Sequence, residues 1–375
     1  MAKVKITGHA SGSGVVTVTA PNTSTDRTIT LPDSTDTLIG SATTDALTTR
    51  VNATGGRKNM VQNGAMTVYQ RGTTNTTDGT NVFSLDRWKN LNKGGAISTI
   101  TQATDVPANQ GFGYSHKIDV TTADAMGAAT DECSLKHQIE AQDVIHIGYG
   151  TSTCQTVTLS FWIKSTITGT YIAELFRHDT DRTLSIAYTV SSSNTWEKKT
   201  ITFAADTTGA VVNDTGSGLM VQFWLGAGSN YTSGTLGSWS TTVANRAVGQ
   251  VNAMSSTSNN IYFTGVQLEL GSVATDFEHR SYGEELALCQ RYYFKSDLIY
   301  FTGFSDGNTS TRCSVNGQHP VTMRADPSVT YNTQSLSGSP LTGTAKAGGF
   351  YYVFNGNANR GGISDLNTYV ADAEI

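Results

Sequence analysis

"TVTLSFWIKS", residues 156–165, decides the fold. Val157, Leu159, Phe161 and Ile163 alternate with polar neighbours, the period of two that a half-buried strand requires. The same pattern returns in "GTYIAELF" (169–176), "TLSIAYTV" (183–190), "TWEKKTITF" (195–203), "GLMVQFWLG" (218–226) and "NIYFTGVQLEL" (260–270). Short strands at this spacing, with turn signals between them, describe an all-β jelly-roll sandwich. Helical periodicity is nearly absent, which argues against an α/β fold.

Working outward in both directions gives four segments. Residues 57–280 form the sandwich. Residues 281–295 read as a connecting helix, because "YGEELALCQRYYF" (282–294) places Leu286, Cys289, Tyr293 and Phe294 on one helical side suited to docking. Residues 296–375 form a small C-terminal β domain, with "VTMRADPSVTY" (321–331) and "GGFYYVFNG" (348–356) as its best strands. At the other end, residues 1–56 carry "GVVTVTAP" and "RTITLPD", whose Val16, Val18, Ile29 and Leu31 share one apolar face. A unit below about 40 residues seldom buries enough surface alone. The expected solution is a symmetric bundle of identical chains.

Composition agrees. Among 375 residues the charged fraction is 15%, against roughly 25% in an average soluble protein, and the chain holds 38 Gly and only 6 Pro. A net charge of −5 without a Lys/Arg cluster argues against a nucleic-acid partner. No window approaches the ~20 apolar residues of a membrane span, and the N-terminus lacks the apolar core of a signal peptide. The four cysteines, Cys133, Cys154, Cys289 and Cys313, lack CxxC spacing and read as reduced thiols of a chain made in a cytoplasm. The scattered histidines predict no metal site, and no cofactor motif is present.

The segments "KNMVQNGAMTVYQRG" (58–72), "SLDRWK" (84–89), "QIEAQDV" (138–144) and "GVQLELGSVATDFEHRSYGEELALCQRYY" (265–293), together with the strands above, resemble bacteriophage tail-fibre and related virion-appendage proteins of marine and cyanobacterial phages. The resemblance covers roughly residues 57–330, and "RTITLPDSTDTLIG" (27–40) resembles a fibre attachment segment. It implies a sandwich similar to carbohydrate-binding modules on a homotrimeric appendage of the virion. Residues 1–56 would then bind other tail or head proteins, and the β domains would meet a bacterial surface glycan or protein. A structural head-fibre, collar or tail component without a ligand is one alternative. A tailspike-like depolymerase is another.

Sugar sites pair an aromatic platform with amide and carboxylate groups. Of the five tryptophans, Trp88, Trp162 and Trp196 read as structural, and Trp224 follows Phe223, so that one of the two faces inward. "GAGSNYTSGTLGSWSTT" (226–242) holds Tyr231 and Trp239 with little apolar company. They are either plugs on the sandwich edge or exposed ligand contacts. "GFYYVFNGNANRGG" (349–362) offers Tyr352 and Arg360 as a second candidate, with a core-facing hairpin as the other reading. Glycoside hydrolysis wants two carboxylates flanking the bond. Asp131, Glu132, Glu140, Asp143, Glu174 and Glu269 are available, but no catalytic motif singles out a pair. The expectation is a non-enzymatic protein. Glu278, His279 and Arg280 read as a salt-bridged joint.

Overall fold

In a computed structural model of the chain, the strand read from residues 156–165 is β7 (Val157–Ser165). The structure describes residues 57–78, 81–296, 299–301, 312–333, 342–355 and 364–375. The apolar positions Val16, Val18, Ile29 and Leu31 lie outside them.

β7 belongs to a six-stranded antiparallel sheet ordered β1 (Thr74–Asp78), β4 (Ile97–Ala103), β5 (Ser115–Thr122), β12 (Asn260–Leu270), β7 and β10 (Glu197–Phe203). The second sheet runs β2 (Asn81–Phe83), β3 (Trp88–Lys93), β6 (Glu132–Glu140), β11 (Ser217–Ala227), β8 (Gly169–Arg177) and β9 (Arg182–Val190). From β5 to β12 the chain changes sheet at every connection except the β8–β9 hairpin. That winding sets β5-β12-β7-β10 against β6-β11-β8-β9, a jelly roll.

The inner faces supply one core. Val157, Leu159, Phe161 and Ile163 are all buried there, as the alternation requires. Phe223 is 4.8 Å from both Phe161 and Phe263, ring centre to ring centre. Each such side chain contributes about 1.5–3 kcal/mol when fully buried. Trp88 is fully buried, with its indole N–H donating to Asn63 O at 2.9 Å. Two histidines share this interior. His116 lies 3.2 Å from both Ser84 Oγ and Asn90 Nδ2, and His137 Nε2 lies 3.0 Å from Gln62 O. Burial holds both imidazoles neutral, with the pKa of His116 lowered to about 3.

The connecting helix spans Tyr282–Gln290, with the Ser281 hydroxyl capping its start by accepting from Glu284 N. Its buried positions are Glu285 and Cys289, one turn apart, while Leu286 is half-buried. This corrects the expected stripe in two ways. The inward face is polar because Glu285 Oε1 accepts from Asn63 N at 2.5 Å and pairs with Arg280. Tyr293 is buried as expected, but as the first residue of β13 (Tyr293–Ser296) opposite Asp372, after the helix has ended.

β13, β14 (Ile299–Phe301) and β16 (Ser328–Thr333) all pair with β19 (Ser364–Asp372). β15 (Arg312–Gln318), β18 (Gly349–Asn355) and β17 (Thr342–Lys346) form a separate three-stranded sheet. Their small core holds Met323, Phe350, Tyr369 and Ala371. Ion pairs and stacked rings tie it to the sandwich. Arg291 bonds both Glu140 oxygens at 2.7 Å. Arg87 pairs with Glu374 and lies 3.4 Å above the Tyr292 ring, and Arg71 lies 3.5 Å above Tyr293. Removing one partner of such a buried pair costs about 3–5 kcal/mol.

Candidate functional site

If Leu159, Phe161 and Ile163 face the core, then Thr158, Ser160, Trp162 and Lys164 face outward from the first sheet. Trp162 is only half-buried and stands opposite Thr264 on β12 and Lys198 on β10. It lines a cleft of about 230 Å³ with Ser160, Lys198, Gly265, Asn109, Gln110, Phe112, Asp276, Phe277 and His279.

Two segments form the walls, and buried polar side chains of β12 hold both. The β4–β5 loop is held where the Thr264 hydroxyl donates to Tyr114 O at 2.7 Å. The segment after β12 turns back across the sheet onto Gln267 and Glu269. Glu278 N donates to Gln267 Oε1 at 2.8 Å, and Glu269 accepts from the backbone N–H and hydroxyl of Thr275 at 2.8 and 2.6 Å. Gln267 and Glu269 are therefore buried although they sit on an outward face.

At Gly265 the pairing of β12 with β7 slips, the mark of a bulge, and φ is +61°. A Cβ there would lie 2.5 Å from the Phe112 ring. Glycine thus lets Phe112 rest on the strand backbone, where it meets Phe277 at 5.0 Å and His279 at 5.3 Å. Phe277 and His279 are 4.9 Å apart. The result is an aromatic wall beside the Trp162 platform. The amides of Asn109 and Gln110 and the Asp276 carboxylate are exposed at the mouth of the cleft, open to an incoming hydroxyl.

The face continues past the cleft. Tyr262 meets Trp196 edge-on at 6.1 Å, with Lys164 and Lys117 at 4.9 and 5.9 Å over its ring. Trp196 donates its indole N–H to Asp105 at 3.0 Å, and Lys164 pairs with the same carboxylate. Desolvation raises the Asp105 pKa, but the hydrogen bonds from Lys164 and Trp196 outweigh it and hold the carboxyl below its usual range.

The residues that the sequence singled out lie elsewhere. Tyr231 is buried, 5.1 Å from Trp224, in a satellite cluster with Ile172 and Ala247. Trp224 and Phe223 are both buried, because the loop after β11 folds over the outer face of the second sheet. Trp239 packs edge-on against Tyr149 at 5.8 Å and donates its indole N–H to Ala204 O at 2.7 Å. Tyr231 is thus a buried plug, and Trp239, half-buried, packs on the edge of the sandwich core. Tyr352 falls in β18, and Arg360 lies outside the described residues. Most of the carboxylates weighed for catalysis are committed to the fold. Glu174 accepts from Trp224 at 2.6 Å and Arg246 at 2.8 Å, Glu140 holds Arg291, and Glu132 pairs with Lys136 at 2.7 Å. Arg280 joins Glu278 and Glu285 as the expected joint, while the neighbouring His279 lines the cleft.

Cys133, Cys154 and Cys289 are free thiols. Among the described residues no group of three or more His, Cys, Asp or Glu could hold a metal ion, and no helix is long and apolar enough to cross a membrane.

No protein-family model and no curated protein matches the chain. Solved structures do. The enzymatically active domain of tailspike protein 4 of bacteriophage CBA120 matches at 16% identity over 57% of this chain and 21% of that one, with a TM-score of 0.29. A family 11 carbohydrate-binding module from a cellulosomal cellulase of Clostridium thermocellum matches at 10% identity over 54% and 96%, with a TM-score of 0.28. An agarase matches at 9% identity over 80% and 47%, with a TM-score of 0.24. The chain thus spans about a fifth of the tailspike domain. Likeness at this level carries no function, which resides in the site and not in the fold.

Proposed function

We propose that the chain is a phage virion fibre protein whose sandwich binds a bacterial surface glycan in the outer-face cleft. One observation carries the binding reading: a half-buried tryptophan flanked by an aromatic wall and by open amide and carboxylate groups, in a space of about one sugar ring. The apolar face of a pyranose stacks on Trp162, while its hydroxyls accept from the Asn109 and Gln110 amides and donate to the Asp276 carboxylate. The virion assignment rests on the sequence resemblance of residues 57–330. In this reading residues 1–56 join three chains and attach them to other virion proteins. Linked copies of a weak site then raise the effective affinity by about 10²–10⁴.

The binding is non-enzymatic. The cleft lining contributes one carboxylate, Asp276, where glycosidic cleavage takes two. Incubating the full chain with host capsule or lipopolysaccharide is the test. Retention of the protein on the polymer with unchanged polymer length is expected. Shortened polymer would make it a depolymerase, and no retention would leave it a structural component. Sedimentation of the full chain is expected to give a trimer, and a stable monomer of 39.9 kDa would remove that part of the reading.

A further inference from the structure

The outer face of the second sheet carries an arrangement that the glycan cleft does not use. On β3 and β6, Lys89 and Lys136 stand directly opposite one another. Like charges in that position destabilise a sheet. Lys136 is compensated, with Glu132 at 2.7 Å, and Glu132 also accepts from Gln222 at 3.0 Å. Among the described residues Lys89 has no ion-pair partner in the structure. Its ammonium lies 5.5 Å from the Phe83 ring centre and 3.5 Å from Gln138 Oε1.

Around it the polar groups converge. Gln138 Nε2 lies 3.2 Å from Ser217 Oγ and 3.5 Å from His178 Nε2. His178 packs edge-on against Phe176 at 4.8 Å. Lys89, Lys136, Gln138 and His178 are all half-buried, neither free in water nor shut inside. The nearby acids are engaged or lie at the margin. Glu374 pairs with Arg71 and Arg87, and Asp179 accepts from Val212 N. Desolvation, then the Lys136 and Arg87 charges, lower the Lys89 pKa. Desolvation chiefly lowers His178 to about 4, with Lys136 and Lys89 acting in the same direction and Asp181 and Asp179 against it.

We propose that Lys89, with Lys136, Gln138 and His178, forms an oxyanion-binding subsite that takes a carboxylate or phosphate group of an acidic surface polymer. The ammonium supplies charge, and the amide and imidazole supply directed hydrogen bonds. The cross-strand lysine pair, unfavourable alone, becomes favourable once an anion bridges it. This site lies on the opposite sheet from Trp162 and stands or falls independently of the cleft.

Thermal unfolding of the full chain at low ionic strength tests it, with inorganic phosphate, galacturonate or chloride at matched ionic strength. A ligand at about tenfold excess over its Kd raises the melting temperature of a domain this size by a few degrees. Phosphate, galacturonate or both should do so relative to chloride. The rise should vanish in Lys89→Met and survive in Trp162→Ala. In chloride, Lys89→Met should melt at or above the parent, because a like-charge pair has been relieved. A response to phosphate alone would assign a phosphorylated polymer, and one to galacturonate alone an acidic sugar. The proposal is overturned by the absence of any rise in the parent, by a rise retained in Lys89→Met or lost in Trp162→Ala, or by a Lys89→Met that melts well below the parent in chloride.

Discussion

Gly265→Ala should damage the fold and the cleft together, and the two parts can be separated. The residue has φ of +61°, and an L-residue in that region costs about 1–2 kcal/mol. The added methyl would also lie 2.5 Å from the Phe112 ring. Overpacking of that kind costs about 1–3 kcal/mol where neighbours cannot move. The sum is about 2–5 kcal/mol in urea unfolding monitored by tryptophan fluorescence. A ring pushed off β12 would carry Phe277 and His279 with it, so glycan retention should fall as well. Adding Phe112→Leu should recover the steric share but not the backbone share, leaving about 1–2 kcal/mol once the lost ring packing of Phe112→Leu alone is subtracted. If Gly265→Ala unfolds with the parent, or if its loss simply adds to that of Phe112→Leu, Phe112 does not rest on this glycine.

Three further outcomes are expected. Below pH 6.5 the unfolded chain takes up a proton at residue 116 that the folded chain refuses until about pH 3. A base with a lowered folded pKa gives stability that is present above pH 6.5 and lost as pH falls. His116 should therefore remove roughly 1.4 kcal/mol per pH unit across that window, and His116→Gln should flatten the profile relative to the parent. Asp86, raised to about 6 mainly by desolvation, acts in the opposite sense in both proteins and cancels in the difference. Trp239→Ala should cost about 2–4 kcal/mol of stability with glycan retention unchanged; reduced retention by a folded variant would restore the loop as a contact. Cys289→Asp should lose roughly 3 kcal/mol or more, as a buried charge beside Glu285 and Asp86 where the cation at hand, Arg87, already pairs with Glu374. Leu286→Asp, on the half-exposed side of the helix, should lose about 1 kcal/mol. Equal losses in calorimetry would contradict the observed helix face.

The period of two carried the sandwich, because alternation is a local property and six strands display it. The same alternation held the clue to the cleft. Trp162 falls in phase with Thr158, Ser160 and Lys164, the outward side, so a large aromatic there could not belong to the core between the sheets. Phe112, Phe277 and His279 were not legible, since loops far apart in sequence meet only because Thr264, Gln267 and Glu269 anchor them to one strand. The burial of Tyr231 was hidden for the converse reason. A Gly/Ser/Thr loop looks exposed by composition, yet this one covers Trp224 and Ile172 on the outer face of the second sheet. The helix was placed correctly at its start, where Ser281 caps Glu284. Its end was missed because Tyr293 is claimed by pairing with Asp372 across a long stretch of chain.

The central claim is that Trp162 is the platform of a glycan site. Binding of the full chain and of Trp162→Ala to one array of neutral and acidic oligosaccharides tests it most directly. The account predicts that the parent binds a restricted set of glycans. It also predicts that the folded variant loses about tenfold or more in affinity for them, the equivalent of about 1.4 kcal/mol or more for a stacked ring removed with its buried area. A folded Trp162→Ala that binds the same glycans as tightly as the parent would contradict it.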